Sequence, residues 1–159
     1  MVVLRCTRKL LRWVGVPSAV SDTSTTVLGD WFAQPLSVGH QRFVLLISEH
    51  SRLPVLMPGR DLKHLARNFP DALAQVLHAL GVPSAAVQAE VDASREAMIA
   101  VTNNRSLLGT LNDFSHMLSY QMRNEPDASL LEAALWLSRT PVAPLGSRMP
   151  DQVTRDLLG

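Results

Sequence analysis

Cysteine is almost missing from this chain: Cys6 is the only one in 159 residues. One thiol excludes an internal disulfide framework, and with scattered histidines it assembles no zinc ligand set. Long apolar runs are missing too. Unbroken stretches such as FVLLI, 43–47, stop at five residues, far short of the roughly 20 that a bilayer span needs. Neither sign of charge dominates, since 15 Lys and Arg against 14 Asp and Glu leave +1. That balance gives no global field arguing for nucleic acid or membrane. The start, MVVLRCTRKLLRWVGV, sets charges inside what would be a signal peptide's apolar core, so a soluble, cytoplasmic protein is expected. G-x-S-x-G, a Walker glycine loop, H-E-x-x-H and G-x-G-x-x-G are all absent. No cofactor, metal or membrane partner is therefore expected, and no catalytic residue is assigned.

What is present is the makings of one folded domain spanning 1–159. Hydrophobic residues make up 47% and charged ones 18%, enough apolar surface for a core without a staple. VVLRC, 2–6, has the β-branched content of a strand, and Thr7 is placed to cap a short helix through Trp13. VGVPSAVSDTST, 14–25, reads as a loop. DWFAQPLSV, RFVLLIS and LPVLM then read as a three-strand meander, its short connections implying antiparallel neighbours. Pro35 marks the first of these as an edge strand or a bulged one. Phe43 to Ile47 is apolar throughout, as in a strand covered on both faces.

After Gly59 the period changes. Leu62, Leu65, Ala66, Phe69, Leu73, Val76, Leu77 and Leu80 recur at three and four, the pattern of an amphipathic helix. Pro70 is expected to break it, with Asn68 capping the second piece and Gly81 closing it. Residues 84–94 read as a short helix and AMIAVT, 97–102, as a return strand. Further helices are predicted near 105–123 and over 128–139, then a peripheral proline-rich tail, 140–159, with a short terminal helix. The expected fold is α+β: a small, mostly antiparallel sheet of N-terminal strand plus meander, packed with helices, and a helical C-terminal half.

The stretch VTNNRSLLGTLNDF, 101–114, has unusual polarity for an apolar chain. A helix starting at Arg105 sets Leu107, Leu111, Phe114 and Leu118 on one side and Arg105, Gly109, Asn112 and His116 on the other. That second line would suit a polar ligand, and the helix start beside Arg105 an anion. The bland alternative is equally specific: Asn103 or Asn104 as N-cap, and Thr110 with Asp113 as a capping box restarting a helix after Gly109. Near the start, Arg5, Arg8, Lys9 and Arg12 offer phosphate contacts, with Trp13 and Trp31 as stacking surfaces; a solvated face is the alternative. An Arg5 placed in a central strand needs a partner, and Asp30 and Asp113 are the candidates. Cys6 in a strand reads as a small buried apolar residue.

The segments LRCTRKLL, LGDWFAQPL, RFVLLISEHSRLPVLMPGRDLKHL and NRSLLGTLNDF together resemble a bacterial family of small uncharacterised proteins, from Val2 to about Phe114 and more loosely beyond. The usual form of the last segment has methionine where Leu111 stands. The resemblance implies a bacterial source and a single-domain unit, and no activity. Its most specific pieces gather polar groups at three points: Arg5 and Thr7; Asp30 and Trp31; Asn104, Arg105, Asn112 and Asp113. Together with Lys9 and His116 these are the candidate ligand- or partner-binding residues, either a site or a buried network that fixes topology. Two functions fit. One is a non-enzymatic binding module for a protein or nucleic acid, using the polar and basic surface near Arg105. The other is a hydrolase or transferase acting on a phosphorylated substrate, with Arg105 on the phosphate and Asp113, His116 or Asp30 as base.

Overall fold

A computed structural model describes residues 1–15, 17 and 22–159; part of the loop expected at 14–25 lies outside them. Strand β1 (Val2–Cys6) is followed by helix α1 (Arg8–Val14), and the meander is β2 (Trp31–Val38), β3 (Gln41–Ser48) and β4 (Pro54–Pro58). A 3₁₀ turn (Gly59–His64) leads into α2 (Leu65–Ala79), then α3 (Ser84–Ala93) and β5 (Ala97–Val101). Helices α4 (Arg105–Asn124), α5 (Leu130–Leu137) and α6 (Pro150–Leu158) complete the chain.

The sheet has the order β4-β3-β2-β1-β5. It is mixed, which corrects the mostly antiparallel expectation. Short connections determine only β2, β3 and β4, which do pair antiparallel. The chain between β1 and β2 is long enough for a crossover through α1, and β1 runs parallel to both β2 and β5. β1 is thus an interior strand, buried at all five positions.

β2 is interior as well, between β3 and β1, and Pro35 does not make it an edge. The Ala33 carbonyl accepts the Thr7 N–H, so alternation turns the Pro35 nitrogen to the same side. There β1 has already given way to α1, and the missing donor has no strand to serve. Pro70 does not end a helix either. The irregularity falls earlier, in the 3₁₀ turn, and α2 runs through Pro70 with Asn68 inside it. The proline forfeits one bond to the Ala66 carbonyl, four residues back, while Leu65, Phe69, Leu73, Val76 and Leu77 bury a continuous face.

The two faces of the sheet are covered differently. Trp31 is fully buried and meets Phe69 of α2 edge to face, ring centroids 5.0 Å apart. Gln34, three residues on and therefore on the other face, donates to the Leu111 carbonyl of α4 at 3.0 Å. β3 is buried from Phe43 to Ser48, the core the apolar run predicts. At the C-terminal end, α6 is tied back by Thr154, which donates to Ser51, and by Arg155, which donates to the Leu80 carbonyl.

Candidate functional site

The ten candidate residues separate into a buried group, two helix caps and an exposed group. Arg5 lies in β1 on the sheet face that carries Asp30, and its Nε donates to Asp30 Oδ2 at 2.6 Å with both side chains buried. The other carboxylate oxygen accepts the Ser24 N–H at 3.0 Å and its hydroxyl at 2.7 Å. Ser24 Oγ in turn accepts the Val3 N–H at 2.8 Å, and the Arg5 guanidinium reaches the Val101 carbonyl at 3.4 Å. Each Asp30 oxygen is therefore engaged, and the pair clamps the loop before β2 onto the central strand. Trp31 points into the core. Cys6 is buried nearby, and desolvation pushes its thiol pKa up to about 12, so it stays protonated and a poor nucleophile.

Thr7 caps α1 by accepting the Leu10 N–H. Asn104, rather than Asn103, caps α4, its Oδ1 accepting the Leu107 N–H at 3.2 Å. α4 is one continuous helix. No second helix starts after Gly109, because Thr110 is buried and its hydroxyl donates to the Ser106 carbonyl one turn back. Leu107, Leu111, Phe114 and Leu118 are buried as the wheel requires.

Arg105, Asn112, Asp113 and His116 are exposed on the opposite side, and Lys9 is exposed on α1. Among the described residues no hydrogen bond or ion pair joins Arg105, Asp113 and His116. Arg105 and Asp113 are eight residues apart, about 12 Å along the axis. Beside this polar line is a cleft of about 520 Å³, with Ser106, Gly109, Asp113 and Met117 of α4 facing the proline-rich stretch Pro141–Pro144. Gly109 stands where line and cleft meet, and a Cβ built on it would touch nothing within 4 Å.

Several polar groups escape sequence reading. Glu90 of α3 is buried and accepts the Val27 and Leu28 N–H groups at 2.8 and 3.0 Å, holding the turn ahead of Asp30. Burial raises its pKa, while the two N–H bonds and nearby His50 oppose that. Its signal was available: with Val87 and Val91 it lies on the inward face of α3. Arg52, at φ 59°, sits buried in the β3–β4 turn and donates to Glu49 O and to Ser106 Oγ at the start of α4. Burial lowers its pKa and Glu49 raises it, yet an arginine remains charged at neutral pH. Nothing local in the sequence marks this residue.

Set beside known families, residues 3–153 match a domain of unknown function, DUF6933. The chain belongs to that family. The DUF6933 description assigns no activity, so the site's chemistry has to come from its geometry. No curated protein and no solved structure matches the chain significantly. Among the described residues of this DUF6933 domain, no helix is long and apolar enough to cross a membrane, and no three His, Cys, Asp or Glu residues group as metal ligands.

Proposed function

We propose that this chain is a non-enzymatic binding module of the bacterial cytoplasm that meets a protein or nucleic-acid partner at the polar and basic surface around Arg105. Gly109 carries the reading. Glycine inside a continuous helix costs about 1 kcal/mol relative to alanine, and among the described residues no atom lies within 4 Å of where its Cβ would stand. That room opens onto the cleft that Ser106, Asp113 and Met117 line with Pro141–Pro144. The cleft lies beside the helix line of Arg105, Asn112 and His116, and an incoming group can approach the helix backbone closely there. Enzymatic handling of phosphate fits less well. It needs a base beside Arg105, but Asp30 is committed to Arg5 and Ser24, and Asp113 is two turns away.

The test is affinity capture in the source cell with the tagged chain, its Arg105→Glu and Gly109→Leu variants, and Arg123→Glu as a control at the far end of α4. A partner held by wild type and control but lost by the first two variants, with all four folded, supports the proposal. An identical set captured by every variant overturns it.

A further inference from the structure

A second surface, sharing no residue with the Arg105 line, has its own chemistry. Charge is unevenly spread along the chain. Residues 1–67 hold nine Lys and Arg against four Asp and Glu, a balance of +5, whereas residues 68–159 hold six against ten, a balance of −4. The fold concentrates this excess. On α1, Arg8, Lys9 and Arg12 share the exposed side opposite buried Leu10. The Arg42 guanidinium of β3 lies over the Trp13 ring, 4.6 Å from its centroid, which joins α1 to the β2–β3 hairpin. Gly59 brings the third segment in: a Cβ there would stand 2.7 Å from Arg42 Cβ and from its carbonyl oxygen. Only glycine lets the 3₁₀ turn approach so closely, and α1 packs on that turn directly. Arg60 and Lys63, three apart in the turn, project from one edge of it. Asp61 is the single acid among these segments, and among the described residues none of the six cations is in an ion pair.

At the centre is Trp13, 49% exposed, an indole that the core does not use. We infer that this face binds single-stranded nucleic acid, the cations tracking phosphates while an unpaired base stacks on Trp13. The aromatic selects among polyanions. A duplex keeps its bases stacked inside and offers Trp13 nothing, whereas a single strand combines backbone charge with free base faces. An anionic membrane would require further exposed apolar side chains here. Among the described residues the other large ones, Val27, Val101, Tyr120 and Leu157, belong to other segments.

The experiment is fluorescence anisotropy of a labelled oligothymidylate of about twelve nucleotides titrated with the full chain, alongside a duplex of equal length and phosphatidylserine-containing vesicles. Binding should weaken roughly twenty- to a hundredfold between about 50 and 200 mM salt, as expected for a few phosphate contacts. Trp13→Leu should lose about five- to 150-fold, the worth of one stacked base, and Trp13→Phe should keep most of it. Arg8→Ala/Lys9→Ala/Arg12→Ala should flatten the salt dependence, while Arg123→Ala leaves it unchanged. These residues are exposed, so circular dichroism should show every variant folded. No oligothymidylate binding at about 50 mM salt overturns the inference. So does equal affinity for duplex with no effect of Trp13→Leu, which means an unselective polyanion surface, or binding to vesicles alone.

Discussion

Arg5 and Arg105 are both arginines among polar neighbours, yet one is sealed and the other is open. Around Arg5, Asp30, Ser24 and the Val3 and Val101 backbone groups form a connected network in which both carboxylate oxygens are engaged. Around Arg105, Asn112, Asp113 and His116 face solvent and leave each other alone. Polarity at Arg5 specifies where the loop before β2 joins the sheet. At Arg105, among the described residues, the side chain makes no hydrogen bond or ion pair, and the proposed binding surface rests on that openness. The contrast lies in side-chain satisfaction, not in residue type.

Stability measurements can break that contrast, and the largest effect belongs to the sealed side. Arg5→Ala leaves the Asp30 carboxylate buried without its cation and should cost about 3–5 kcal/mol by urea titration; a loss under about 1 kcal/mol would mean the clamp is not energetically coupled to folding. Glu90→Ala, which strips two backbone N–H groups of their acceptor, should cost about 1–3 kcal/mol. Glu90 also gives a pH signature. Its folded pKa is raised above the ordinary 4.5, so its contribution is fully present below that value and is lost as pH rises through the folded pKa. Glu90→Gln should flatten the fall in stability over that window, and an unchanged profile would assign it to other groups.

On the open side, Gly109→Ala should stabilise the chain by up to about 1 kcal/mol, since the added methyl meets empty space. A destabilised Gly109→Ala would mean the helix needs glycine for its own packing. Smallest of all, Arg105→Ala and Asn112→Ala should shift stability by no more than about 0.5 kcal/mol each. A loss near 2 kcal/mol in either would merge the two regions into one network.

Much of this was legible. The apolar period of α2, the continuous apolar run of β3, the Thr7 cap, an asparagine cap at 103 or 104 and the wheel of α4 all follow from local rules, and local rules carry them. The Arg5–Asp30 pair was within reach because a cation in an interior strand demands an acid. Strand order was not, since nothing in VVLRC or AMIAV says that they are parallel neighbours. Pro70 misled because tertiary burial of Phe69 and Leu73 outweighs one lost hydrogen bond. The split of the ten candidates was hidden for a related reason. Asn112 and Asp30 are similar residues, and only the third dimension supplies Ser24 to one and solvent to the other. The basic face needs three segments to meet, and the contact that joins them, Gly59 on Arg42, has no sequence signature.

The place of β1 in the sheet also bears on how the chain is made. Of its two strand partners, one, β5, is translated about ninety residues after β1 itself. At about 5–20 residues per second that is a wait of roughly five to twenty seconds, during which the β2–β4 meander can form by itself from near neighbours. A parallel ladder closing over such a distance is intrinsically slow. Until it closes, Val2, Leu4 and Cys6 form an uncovered apolar strand edge, so the nascent chain should be most dependent on chaperones between the synthesis of the meander and that of β5.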